Sequence, residues 1–195
     1  QAQLENILEN RYSYEILYMN DGSFDGSEKI LDELSNQNAS TKAVHFHRNY
    51  GKAAALAEGF KLATGDYVMT MDADLQDDPA EIPNFITKLE EGFDLVSGWK
   101  KVRHDPIGKR WPSKLYNFTV STLSGIPIHD FNCGLKAYTR KVVKNIELYG
   151  EMHRYIPVLA KQKGFSCTEK VVSHRARKYG ESKYGIKRLF TGYLD

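Results

Sequence analysis

Asp66-Tyr67-Val68-Met69-Thr70-Met71-Asp72-Ala73-Asp74 decides the fold class, because an apolar run of strand length passes straight into two carboxylates. Asp78-Pro79-Ala80-Glu81 follows with the N-cap, N1 proline and N3 glutamate of a helix start, and Ile82, Phe85, Ile86 and Leu89 recur at helical spacing as its buried face. Gly92 ends that helix, and Asp94-Leu95-Val96-Ser97-Gly98 is a further short strand. Upstream the same alternation holds. Tyr14 to Met19 reads as a strand closing at Asn20-Asp21-Gly22-Ser23, with a helix through Ile30, Leu31 and Leu34. Lys42 to Phe46 is the next strand, followed by a helix through Ala53, Leu56, Phe60 and Ala63 that Gly65 closes as a C′ residue. Downstream the pattern is less regular, with helices expected over Ser113 to Leu123 and Arg154 to Lys163 and a strand over Thr168 to His174. Strands alternating with helices imply βαβ crossovers. The expected architecture is therefore α/β and Rossmann-like, a mostly parallel sheet flanked by helices with ligands bound beyond the strands' carboxyl ends.

A chain of 195 residues can bury one sizeable core, and no repeat, linker or low-complexity tract marks a boundary, so a single domain over 1–195 is expected. The longest unbroken apolar stretch, Ala53 to Ala57, is far short of the roughly 20 residues a membrane-spanning helix needs. Gln1-Ala2-Gln3-Leu4-Glu5 lacks the basic and apolar regions of a secretory signal, which gives a cytoplasmic expectation. Cys133 and Cys167 have no spacing of a disulfide framework or zinc site. The net charge of +2 hides an asymmetry, since residues 1–100 carry −10 and residues 101–195 carry +12. A basic second half suits a phosphate-rich ligand or an anionic membrane face, and equally a solvated surface.

Asp72 and Asp74 lie two apart after a strand, so both carboxylates fall on one side, where a hard cation such as Mg²⁺ or Mn²⁺ is bound by oxygen, with Gln76 able to add a carbonyl. Alone the tripeptide is more often a chance pair or a helix cap, and its place at a strand end is what raises the metal reading. Asn20-Asp21-Gly22-Ser23 is a turn by composition, yet it sits at the first crevice of the sheet, where Asp21 can accept from a base N–H or a sugar hydroxyl. His47-Arg48-Asn49-Tyr50-Gly51-Lys52 opens a helix whose N–H groups can meet phosphate. His45 and His47 share a strand face but lack a third ligand at zinc spacing.

Five landmarks in order carry a resemblance. They are Asn20-Asp21-Gly22-Ser23 with Asp25-Gly26, Arg48-Asn49-Tyr50-Gly51-Lys52, Gly65-Asp66 through Asp72-Ala73-Asp74-Leu75-Gln76, Cys133-Gly134-Leu135-Lys136-Ala137, and Arg177-Lys178-Tyr179-Gly180-Glu181-Ser182-Lys183-Tyr184. The chain resembles the family 2 glycosyltransferases of the GT-A fold, in particular bacterial polyprenyl-phosphate glycosyltransferases similar to dolichyl-phosphate mannose synthase. The resemblance implies an inverting transferase that moves a hexose from a UDP- or GDP-sugar to polyprenyl phosphate. It implies a donor site from Asp21, Gly22, Ser23, Asp25, Asn49, Gly51, Lys52, Asp72, Asp74 and Lys100, with Asp21 on the nucleotide, Asp72 near the sugar or ribose, and Asp74 with Gln76 on Mg²⁺ or Mn²⁺.

Against that pattern, a chain opening at Gln1 is expected to lack the family's first strand, with its Pro-x-Tyr-Asn-Glu-like segment, membrane anchorage is left open by a chain that stops at Asp195, and Gly98-Trp99-Lys100 carries a lysine where many relatives have arginine. Asp130 is the candidate base for a hydroxyl acceptor. For a phosphate acceptor, already anionic, its role is electrostatic positioning. Arg110 and Lys114, with Arg103 and Lys109, and then Arg177, Ser182 and Lys183 around Gly180, are the acceptor or phosphate candidates, and Tyr155 and Trp111 read as either acceptor contacts or core. Ile186, Leu189, Phe190 and Leu194 suit a segment lying on the cytosolic face of a membrane, or core. The alternatives are a soluble enzyme glycosylating a saccharide hydroxyl and a nucleotide-sugar-binding module without turnover; nothing points to nucleic acid, and the oligomeric state is open.

Overall fold

The structure is a computed structural model that describes residues 2–8, 11–101, 117, 119–122, 124–173 and 175. The chain groups into two compact units, one of Gln1–Glu9, Asp66–Ile146 and Arg154–Tyr184, the other of Asn10–Gly65, Glu147–His153 and Gly185–Asp195.

The first unit is built on a four-stranded sheet in the order β3 (Tyr67–Thr70), β5 (Lys136–Thr139), β4 (Leu95–Trp99), β6 (Cys167–Val171). β4 and β6 are parallel, with Leu95 opposite Cys167 and Trp99 opposite Val171. β5 runs antiparallel to both β3 and β4, its Ala137 opposite Met69 on one side and Val96 on the other. Three of these four strands therefore point the same way. β5 departs from the expected alternation of strand and helix, for Lys136-Ala137-Tyr138-Thr139 is only four residues long and opens on a lysine, too short and too polar at its start to announce a strand.

α4 (Ile82–Glu90) packs on this sheet and buries Ile82, Phe85, Ile86 and Leu89, the four residues its spacing singled out. Asp78 caps its entry as expected, its carboxylate accepting from Ala80 N–H at 3.1 Å, but the first turn Pro79–Glu81 is 3-10. Phe85, Leu89, Val96, Cys133, Leu135, Ala137 and Val172 form one apolar cluster. Ile126, Ile128 and Phe131 form another, with the partly buried Val120, Tyr155, Val158 and Cys167 packed against them. α1 (Ala2–Leu8) meets the 3-10 turn and α4. α5 (Arg140–Asn145) follows β5, and α6 (Ile156–Gln162) lies on β4 and β6, preceded by a 3-10 turn at Met152–Arg154. Of the helix expected over Ser113 to Leu123, residues 117 and 119–122 are described and helical; the rest lie outside the described residues.

Toward the end of β4, a Cβ built on Gly98 would stand 2.7 Å from Cys133 Sγ and 2.9 Å from the Leu135 carbonyl oxygen. Gly98→Ala is therefore expected to lower the unfolding free energy by about 1–3 kcal/mol, the range for overpacking a filled core. Chemical denaturation measures it.

The second unit holds a two-stranded parallel sheet, β1 (Ile16–Asn20) beside β2 (Thr41–His45), with Asn20 opposite His45. α2 (Ser27–Gln37) lies against both strands and α3 (Lys52–Leu62) against β1, with Ala53 and Phe60 buried. α3 ends earlier than Gly65 suggests: Ala63 turns to φ −59°, ψ 131°, donating its N–H to the Gly59 carbonyl.

Candidate active site

In the second unit, Asn20 and Asp21 close β1 and pin the loop entering α3. Asn20 Oδ1 accepts from Ser23 N–H at 3.0 Å, and its Nδ2 lies 3.0 Å from His45 Nδ1. His45 also reaches Asp32, an ordinary hydrogen-bonding role. The Asp21 carboxylate accepts from the N–H groups of Tyr50 at 2.7 Å and Gly51 at 2.9 Å, while its carbonyl takes Asn49 Nδ2 at 3.2 Å. Asp21, Gly22, Asn49 and Gly51 are thus neighbours in the fold. A carboxylate has about four lone-pair sites, so two such bonds leave acceptor capacity on Asp21. Gly22, at φ 69°, is fixed by crowding as well as by torsion, since a Cβ there would meet the backbone of Arg48 and Asn49. Asp25, just ahead of the N-cap Gly26 of α2, accepts from Ser27 N–H at 3.1 Å and Ser27 Oγ at 2.6 Å.

In the first unit, the carboxyl ends of β3, β4 and β6 and the amino end of β5 share one edge, and Asp72, Asp74, Gln76, Lys100, Gly134 and Arg175 come from those ends. The Asp72 carboxylate rests on the Cα of Gly134, where any Cβ would overlap it. Asp74 Oδ1 accepts from Gln76 N–H at 3.2 Å across Leu75, which holds φ 60° without being glycine. Arg175 braces this loop: its N–H donates to the Gln76 carbonyl at 3.1 Å, its carbonyl accepts from Gln76 Nε2 at 3.2 Å, and its guanidinium pairs with Asp78.

Lys100 pairs with Asp77 at 2.8 Å. Asp77 is a buried carboxylate that pattern reading missed, since in Gln76-Asp77-Asp78-Pro79 nothing separates it from the cap beside it. Burial opposes the charge on Lys100, yet neighbouring anions outweigh it and hold its pKa above the usual value. Cys133, Asp77 and Asp72 are the groups whose charge favours the ammonium, and burial pushes the Cys133 thiol itself up to about 11. Asp130 is 1% exposed, its Oδ1 taking Asn132 N–H at 3.2 Å and its carbonyl taking Ser97 Oγ at 3.3 Å. Lys136, also buried, donates to the carbonyls of Phe131 and Cys133. Trp99 stacks on His129 at 4.1 Å, and His129 Nδ1 lies 2.5 Å from Glu169.

Among the described residues no three His, Cys, Asp or Glu side chains converge as a metal cage. Asp74 and Gln76 offer two oxygen ligands on a braced loop, a donor set that suits a hard cation whose other positions come from phosphate and water. Arg110, Lys114, Arg177, Ser182 and Lys183 lie outside the described residues, as do Trp111, Arg103, Lys109 and the segment from Ile186 to Leu194. Among the described residues no helix is long and apolar enough to cross a membrane.

A family model described as glycosyl transferase family 2 matches residues 2–147. An undecaprenyl-phosphate 4-deoxy-4-formamido-L-arabinose transferase from Pseudomonas fluorescens (strain SBW25) is 39% identical over 185 residues, 94% of this chain and 54% of that protein. One of the same name from Pseudomonas aeruginosa (strain LESB58) is 38% identical over 189 residues, 96% of this chain and 56% of its own length. The chain thus spans about half the length of the curated relatives it matches. Among solved structures, glucosyl-3-phosphoglycerate synthase from Mycobacterium tuberculosis with Mn²⁺, UDP and glucosyl-3-phosphoglycerate is similar at TM-score 0.62 and 17% identity, covering 84% of this chain and 61% of that one. A mannosyltransferase from Pyrobaculum calidifontis with GDP-Man and Mn²⁺ is similar at TM-score 0.61 and 21% identity, covering 92% and 55%. At those identities the likeness is one of fold.

Proposed function

Because this chain belongs to glycosyl transferase family 2 and has the GT-A fold, we propose that it is the catalytic domain of an enzyme that moves a sugar from a nucleoside-diphosphate donor to polyprenyl phosphate, with inversion. The observation that carries the acceptor is the 39% identity, over 94% of the chain, to a protein named for undecaprenyl phosphate. The sugar is a narrower matter. A hexose is what the family resemblance suggests, whereas the relatives are named for a formamido-arabinose, so the donor panel must hold both.

In this reading an acceptor phosphate oxygen attacks the anomeric carbon while the bond from that carbon to the donor's diphosphate breaks, the electron pair leaving with the diphosphate. Asp21, Gly22, Ser23, Asp25, Asn49, Gly51 and Lys52 serve the nucleotide and its phosphates, and Asp72 orients the sugar or ribose. Asp74 and Gln76 would hold Mg²⁺ or Mn²⁺, which neutralises charge building on the leaving diphosphate. Lys100, held protonated by its carboxylate neighbours, adds a fixed positive charge for the same group. A phosphate nucleophile needs no deprotonation. The burial of Asp130 and its bond to Asn132 N–H suit an electrostatic, orienting role rather than proton collection. Arg110, Lys114, Arg177, Ser182 and Lys183 are the phosphate contacts this reading adds, working at the cytosolic membrane face.

The test is to incubate the protein with labelled nucleotide sugars, UDP-linked formamido-arabinose included, and polyprenyl phosphate, with and without chelator. Chelator-sensitive label in the lipid fraction is expected. Label only in saccharides would replace the lipid acceptor by a hydroxyl, and intact donor throughout would leave a binding module.

A further inference from the structure

The Asp77–Lys100 pair lies outside the apolar clusters, and Asp77, the partner of a lysine already assigned to the donor, has no place in the ligand sets above. The Asp77 side chain has no exposed surface and that of Lys100 has 13%. The ammonium lies 2.8 Å from Asp77 Oδ1, and among the described residues no hydrogen-bond donor besides it reaches either Asp77 oxygen. Taking two charges out of water is expensive, and a well-packed apolar pair of similar volume commonly stabilises a fold as well or better. An ion pair enclosed at this point therefore calls for a reason other than stability. Its location supplies one. Asp77 directly follows Gln76, and Lys100 directly follows β4, so the pair joins the loop after β3 to the loop after β4 at the ligand edge of the sheet. Lysine is a point charge on a flexible four-carbon stem, and its ammonium has no defined position unless something holds it.

We propose that Asp77 is a positioning residue that holds the Lys100 ammonium where the donor's diphosphate binds, and that it acts on the donor only through Lys100. The proposal rests on the donor reading given under Proposed function. Its prediction is non-additivity, because removing Asp77 matters only while Lys100 is present to be held. Calorimetric titration with UDP, GDP and CDP in the presence of Mn²⁺ measures it, with thermal melts alongside. For the nucleotide that binds, Asp77→Asn and Lys100→Met are each expected to weaken affinity about tenfold, and the double variant to bind no more weakly than Lys100→Met alone. Losses that add in the double variant would show Asp77 acting on the ligand independently and overturn the proposal. So would a lowered melting point with wild-type affinity in Asp77→Asn, the mark of a purely structural pair. Should Asp77→Asn be unfolded at the assay temperature, Asp77→Glu keeps the pair charged while displacing the carboxylate, and a severalfold loss is expected; wild-type affinity there overturns the proposal. Failure of the wild-type protein to bind any of the three nucleotides would instead overturn the donor reading itself.

Discussion

Replacing Asp74 with alanine is expected to lower metal-dependent transfer about a thousandfold or more, roughly 4 kcal/mol of transition-state stabilisation at about 1.4 kcal/mol per factor of ten. The size follows from the donor set. If Asp74 and Gln76 hold the ion as proposed, losing the charged one would remove half of the protein's ligands and all of their formal charge. Asp74 is half-buried on the loop after β3 and belongs to neither apolar cluster, so the melting point should stay near that of the wild type. Label transfer to lipid across a Mn²⁺ series, with a thermal melt of the same sample, separates the two quantities. Full activity in the variant would sink the metal assignment.

Gly134→Ala is expected to lower transfer about a hundredfold, the scale on which a misplacement of roughly 1 Å acts on a reacting group. The new methyl would claim the space of the Asp72 carboxylate, which lies at the end of a rotatable side chain and is the part that can yield. Asp72 would swing away while β5 keeps its pairing with β3 and β4. Steady-state kinetics should show the loss without a matching fall in stability. Equal loss of both would mean that the strand had moved rather than the carboxylate.

Much of this arrangement is legible in the residues themselves, and the rest is not for identifiable reasons. Ile82, Phe85, Ile86 and Leu89 announce a buried helical face because helix periodicity is local, and Asp78-Pro79-Ala80-Glu81 announces its cap for the same reason. β5 is hidden because its pairing is wholly non-local. Lys136 at its start looks solvent-exposed until the carbonyls of Phe131 and Cys133 are seen to receive its ammonium. Asp77 is hidden likewise, for its burial depends on a lysine 23 positions away, and nothing in Gln76-Asp77-Asp78 tells the enclosed carboxylate from the capping one. At Asp21 local reading gives half the account. The turn is visible, but the N–H groups of Tyr50 and Gly51 that it ties down belong to the next loop.

Leu75 shows when the expense of ordering this loop falls due. A leucine at φ 60° sits in a conformation that costs of order 1–3 kcal/mol, and the Arg175 contacts to Gln76 and Asp78 are what hold it there. That expense is met once, as the chain folds, and not at each arrival of a ligand. Leu75→Gly would relieve the strain and leave every side-chain ligand in place, yet it would shift the ordering from folding to binding, so that each catalytic cycle began with a conformational search the leucine protein has already completed.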